Sequence, residues 1–103
     1  MILRLWKGRS TNGMADAYLR HVTTEVFPKL KGIAGFAGGR VLRRPIGDRV
    51  EFLVLTEWTT WEAIRAFAGD SPEIAVVEPE ARAVLADYDE RVLHFESDDP
   101  VLR

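Results

Sequence analysis

The chain has 103 residues, 47% of them hydrophobic and 29% charged, with a formal net charge of -2 and no cysteine. That length suits one domain, the near-neutral charge argues against nucleic acid as a partner, and without thiols there are no disulfides or cysteine-ligated metal sites. No stretch approaches the ~20 apolar residues of a membrane helix, and the N-terminus lacks the apolar run of a signal peptide. The expectation is a cytoplasmic domain over residues 1–97 with a polar tail at 98–103, and no membrane partner.

Ile2 to Lys7 is rich in large apolar residues and reads as a first strand. Ser10, Thr11 and Asn12 offer N-caps for a helix in which Met14, Tyr18, Val22, Val26 and Leu30 recur every four residues, with Leu19 alongside. Pro28 falls inside that pattern, and its missing N–H and bulky ring predict a kink or an end there. The glycine-punctuated stretch 32–39 leads into a second strand at about Phe36 to Arg44. Turn chemistry at 45–48 then joins it to a third strand, Val50 to Trp58, as a hairpin.

Thr59 and Glu62 have the spacing of a capping box. The helix that follows places Ile64 and Phe67 on one side and stops at Gly69. Pro72 and Pro79 bracket an irregular connection, Pro79 suits the first position of a short third helix, and Tyr88 to Glu96 reads as the last strand.

The order is βαββαβ, an α+β ferredoxin-like arrangement with an antiparallel sheet. In the third strand Phe52 and Val54 point one way and Leu53 and Leu55 the other. Both faces are apolar, although two main helices cover only one. A second copy of the chain is the simplest cover, so a homodimer packed sheet against sheet is expected.

Val26-Phe27-Pro28 with Leu30, Gly35-Phe36, the run from Val50 to Trp58, the helix Glu62 to Gly69 and the closing Val92, His94, Phe95 and Glu96 span nearly the whole chain. In this layout the sequence resembles the antibiotic biosynthesis monooxygenase family of dimeric α+β barrels. The resemblance implies one of three behaviours: oxidation of aromatic or quinol-like rings by dioxygen without a cofactor, haem cleavage, or no assigned reaction. The haem-degrading branch carries an asparagine in strand one and a histidine beyond the aromatic of the second helix. Here strand one has no asparagine and Val77 stands at the histidine's place, which argues against haem.

A cofactor-free oxygenase makes its substrate electron-rich, usually by removing a phenolic proton. A histidine suits that task, and the chain has two. His94 in the last strand is the candidate base, its alternative role being a hydrogen-bonded sheet residue at the dimer interface. His21 borders the apolar stripe of the first helix and is a candidate ligand contact or an exposed flank. Arg40 on the second strand is a candidate for holding a carboxylate or an enolate, or else it pairs with an acid such as Glu51 or points to solvent. Tyr18, Trp61 and Phe67 are candidate walls for a small aromatic or hydrophobic molecule, while Trp58 reads as packing. No histidine spacing typical of a metal site occurs.

The leading expectation is a cofactor-independent, homodimeric monooxygenase for a small aromatic or quinol-type compound. The alternatives are a non-catalytic binder of a small hydrophobic ligand, and an isomerase or decarboxylase using the same histidine to move a proton.

Overall fold

A computed structural model describes residues 1–98. The tail expected at 98–103 lies, apart from Asp98, outside the described residues. The sheet is antiparallel and contains β1 (Ile2–Thr11), β2 (Phe36–Ile46), β3 (Arg49–Trp58), β4 (Asp87–Tyr88) and β5 (Leu93–Glu96). Its order is β2-β3-β1-β4, with β5 also paired to β1, so the expected ferredoxin-like α+β layout is present. β1 continues to Thr11 rather than stopping at Lys7, because Gly8 to Thr11 pair through their backbones with Phe52 to Arg49. Ser10 therefore lies in a strand. Thr11 precedes the first helical turn without lending it a side-chain cap.

A turn of 3-10 helix (Asn12–Met14) opens a long helical rod made of α1 (Ala15–His21), a π-helical segment (Val22–Val26) and α2 (Phe27–Lys31). The rod passes through Pro28 to Lys31 instead of ending at the proline. The wide turn stands directly before Pro28, where an ordinary α-turn would set the ring against a carbonyl of the preceding turn. It also keeps the apolar stripe in line. A strict four-residue repeat overshoots the ~3.6 residues of an α-turn, and the π segment absorbs the excess, so that Tyr18, Val22, Val26 and Leu30 face one space.

β3 delivers the chain into α3 (Trp61–Ala68). Here the capping residue is Thr60, whose Oγ1 accepts from the Ala63 amide at 3.1 Å, while Thr59 donates to the Gly35 carbonyl at 3.3 Å. The cap is thus one residue later than the Thr59/Glu62 spacing predicts, and Glu62 takes no part in it. Gly35 has φ 96, and a Cβ there would stand 2.6 Å from that of Ala63, so the turn into β2 packs bare backbone against α3. α3 ends at Gly69 (φ 83), as expected.

Residues 70–78 then form a strap, followed by α4 (Pro79–Val84) with Pro79 in its first turn. The strap accounts for the split last strand. Around Val92 the chain leaves β1 and pairs with the strap, through Val92 N to Glu73 O at 2.8 Å, Ala75 N to Glu90 O at 2.9 Å and a bridge between Ile74 and Arg91.

Arg9 pins the short edge strand by pairing with Asp87, with Asp89 at 2.6 Å and with Glu51 at 3.2 Å. The Arg9 hydrogen bond holds the Asp87 carboxyl below the usual carboxylate range, and Arg44 does the same for Glu51. A depressed folded-state value stabilises the fold above the unfolded carboxylate range, near pH 4, and that contribution is lost as pH falls through the folded values. Urea unfolding followed from pH 6 to pH 3 is therefore expected to show falling stability, and Arg9→Met is expected to flatten the dependence.

The even-numbered side chains of β1 and β3 face the helices, and two apolar clusters fill that layer. One holds Ile2, Leu30, Trp58, Ala63 and Ile64; the other holds Ala15, Tyr18, Val22, Phe52 and Ala81. Arg4, Val54 and Thr56 occupy the rows between them and belong to neither cluster. The opposite face carries Leu3, Leu5, Leu42, Leu53, Leu55, Leu93 and Phe95, and no helix among the described residues covers it.

Candidate functional site

The two clusters fail to meet over Arg4 and Thr56, leaving a cavity of about 70 Å³ between helices and sheet. Its floor is Arg4, Trp6, Val54 and Thr56. The helical rod supplies Tyr18, His21, Val22, Val26 and Leu30. Phe67 comes from α3, Ala81 from α4, and Val92 from the stretch before β5. The strap closes the remaining side with Val76, Val77 and Glu78. His21 and Glu78 also border an outer groove together with Arg20, Lys29 and Glu80, which places them at the mouth. The Lys29–Glu78 ion pair, 3.2 Å long, spans that mouth from rod to strap.

Within this apolar wall the polar groups are few and specific. Arg4 is only 5% exposed, and no carboxylate forms an ion pair with it among the described residues. Its Nη1 donates to the Pro72 carbonyl at 2.5 Å and to His94 Nε2 at 2.9 Å, and its guanidinium lies 5.7 Å from the centre of the Phe67 ring. Burial pulls the Arg4 guanidinium down to about 10, which leaves it charged at neutral pH. Tyr18 is 2% exposed, packed 4.8 Å from Phe52 between ring centroids, and burial pushes its phenol up, so it remains protonated. His21 Nε2 is buried at the cavity wall and has no hydrogen-bond partner among the described residues. A bare buried nitrogen is unusual, and one beside a cavity is available to a ligand.

Three of the six residues singled out in the sequence, Tyr18, His21 and Phe67, line the cavity. His94 does not line it. His94 lies on the helix-bearing face opposite Arg4 in the sheet register, and its ring touches Trp61 at 5.0 Å between centroids. Because an arginine N–H donates to Nε2, that nitrogen is an acceptor and the ring proton sits on Nδ1. Desolvation first, and the Arg4 charge second, lower the His94 value, keeping the ring neutral. Trp61 lines a separate groove with Met1, Ile2, Thr59 and Thr60 at the start of α3. Arg40 is exposed on the far face of the sheet, beside Leu55, and makes no ion pair among the described residues.

Sequence reasoning chose Arg40 rather than Arg4 as the anion-holding arginine and gave no role to Trp6 or the strap valines. The signal for Arg4 was strand alternation, which sets it inward between Ile2 and Trp6 on one face. Among the described residues no cluster of three or more His, Cys, Asp or Glu side chains is arranged to hold a metal. Among the same residues no helix is long and apolar enough to cross a membrane.

No protein-family model matches the chain, and no curated protein matches its sequence. Solved structures do. The monooxygenase from the gene ActVA-Orf6 of Streptomyces coelicolor, solved with nanaomycin D, superposes with a TM-score of 0.68 at 11% identity over 99% of this chain and 91% of that one. SnoaB, a cofactor-independent oxygenase of Streptomyces nogalater, gives 0.62 at 16% identity over 99% and 98%. The haem-degrader MhuD of Mycobacterium tuberculosis, with two haems in its active site, gives 0.60 at 20% identity over 98% and 99%. Structures described as antibiotic biosynthesis monooxygenases, from Bacillus cereus and Deinococcus radiodurans, superpose as well, with TM-scores of 0.66 and 0.67 at 14% and 13% identity over 99% and 100% of this chain and 95% and 98% of theirs. The chain therefore has the fold of that family.

Proposed function

We propose that this protein is a cytoplasmic, homodimeric, cofactor-independent monooxygenase that oxidises a small phenolic or quinol-type ring in the cavity between helices and sheet. The observation that carries this reading is the unpartnered His21 Nε2 in an otherwise apolar wall that also holds a buried arginine. Two neighbours of the same fold act as oxygenases, one of them without a cofactor, which agrees with it. The cavity's size favours one ring over a porphyrin. An apolar cavity of ~150 Å³ holds benzene, so at about 70 Å³ the walls must yield even for a single ring. The strap, with its ion pair at the mouth, is the wall able to do so.

In this mechanism His21 Nε2 takes the proton from the ring hydroxyl. This role falls to His21 rather than His94, whose Nε2 already accepts from Arg4. The resulting anion gives one electron to dioxygen, and the radical pair joins through a new C–O bond as a hydroperoxide. His21 returns its proton to the outer oxygen. Loss of the ring hydrogen with that oxygen, as water, leaves a carbonyl. The substrate supplies all the electrons, one oxygen atom enters the ring and the other leaves as water. Tyr18 and Phe67 hold the ring plane, and Arg4 stabilises the negative charge that forms.

An oxygen electrode tests this with a panel of hydroquinones, dihydroxynaphthalenes and dihydroxybenzoates. Enzyme-dependent uptake is expected, with His21→Gln slowing it by roughly 10²-fold or more, the ordinary worth of a positioned base. No uptake above the buffer control across the panel would overturn the assignment.

A further inference from the structure

We infer that the cavity selects a ring already carrying an anionic oxygen, a hydroxyaromatic acid whose carboxylate sits on Arg4 while its hydroxyl faces His21. This inference rests on the proposed site and specifies its substrate class. Arg4 carries a charge with no ion-pair partner among the described residues. A buried cation is normally paired, because desolvating it costs several kcal/mol. Arg4 is nine-tenths buried, yet both of its hydrogen-bond partners, Pro72 O and His94 Nε2, are neutral, and both engage Nη1. Nε and Nη2 donate to no group among the described residues, although Arg4 lines the cavity. An arginine that lines a ligand space with its Nε and Nη2 unengaged has the planar fork that takes a carboxylate bidentately.

Arg9 provides an internal contrast. It lies on the opposite face of the same strand and is surrounded by Asp87, Asp89 and Glu51. Arg4 has Thr56 as its β3 neighbour and His94 as its β5 neighbour, so no side chain of the sheet competes with a ligand for it. His94 then becomes a positioning residue. By accepting from Nη1 it fixes the guanidinium and leaves Nε and Nη2 unengaged, and its Trp61 neighbour holds the imidazole in turn.

The test is a binding measurement by calorimetry at pH 7, under argon so that turnover does not intervene, with gentisate and its neutral amide gentisamide. Wild-type protein is expected to prefer gentisate by roughly tenfold or more, the worth of a charge-assisted hydrogen-bonded pair. Arg4→Met is expected to erase the preference while still binding gentisamide, and Arg4→Lys to keep part of it. His94→Ala is expected to reduce the preference without changing gentisamide affinity, whereas a merely structural role would weaken both ligands alike. Equal affinities for the two in wild type, no gentisate binding at millimolar concentration, or a preference that survives Arg4→Met would each overturn the inference. Should Arg4→Met fail to fold, the wild-type pair and Arg4→Lys decide. If the Arg4-dependent preference holds but no dihydroxyaromatic consumes oxygen, the oxygenase reading falls and the anion site stands.

Discussion

Trp58→Ala is expected to destabilise the protein by roughly 3–5 kcal/mol, the range for large aromatic deletions in cores. Trp58 is fully buried at the end of β3. Its ring meets Phe36 edge-on at 5.2 Å and stacks on Phe67 at 6.0 Å with planes 19° apart, and its Nε1 donates to Thr56 Oγ1 at 2.8 Å. Removing it empties the centre of the cluster formed with Ile2, Leu30 and Ile64, and it takes a donor from a buried hydroxyl. A domain of this size holds about 5–15 kcal/mol in total, so urea denaturation should show much of that stability gone.

The neighbouring tryptophan provides the control. Trp61 is half-buried in the first turn of α3, where it shields His94, and Trp61→Ala is expected to cost on the order of 1 kcal/mol. A loss under 1 kcal/mol for Trp58→Ala, or equal losses for the two, would contradict this division. Phe67 adds a functional consequence. It leans on Trp58 and forms a wall of the cavity, so the Trp58 variant should also bind ring compounds more weakly than its residual stability suggests.

The same pair shows how far the sequence could be read. Element order came from periodicity and punctuation, because strands alternate, helices repeat near four, and Gly69 and Pro79 mark ends with few alternatives. The π segment was written in the strict four-residue spacing of Tyr18, Val22, Val26 and Leu30, which an α-helix does not keep aligned. The strap was not legible. Residues 70–78 have no period of their own and are held by backbone bonds to residues 90–92, which no side-chain pattern announces. That pairing also breaks the last strand.

The site was half legible for a related reason. Tyr18, His21 and Phe67 lie on helices, where facing follows from spacing. The roles of the two histidines depended on a contact across 90 positions, Arg4 to His94, which uses one imidazole and leaves the other bare. Arg40 had the right chemistry on the wrong face: its register partner is Leu55, which points away from the helices.

That face supplies the last expected result. Wild-type protein should scatter light at twice the chain mass at micromolar concentration, and Leu53→Arg should scatter as a monomer. Register places Leu53 beside Leu42 and Lys7, Leu55 beside Leu5, and Leu3 and Leu5 beside Phe95 and Leu93. Leu93 is 62% exposed and Phe95 54%, a contiguous apolar surface of a kind monomers seldom leave to water. Its fringe is polar, with Lys7, Arg40, and Arg44 paired to Glu51 at 2.7 Å, as at the rim of an association surface. An arginine at position 53 would set an unpaired charge within the covered face, next to Lys7. The helix-side clusters do not include Leu53, so the variant should keep its helical circular dichroism while losing its partner. Wild type sedimenting as a monomer at tens of micromolar would show that the open face meets something other than a second copy of this chain.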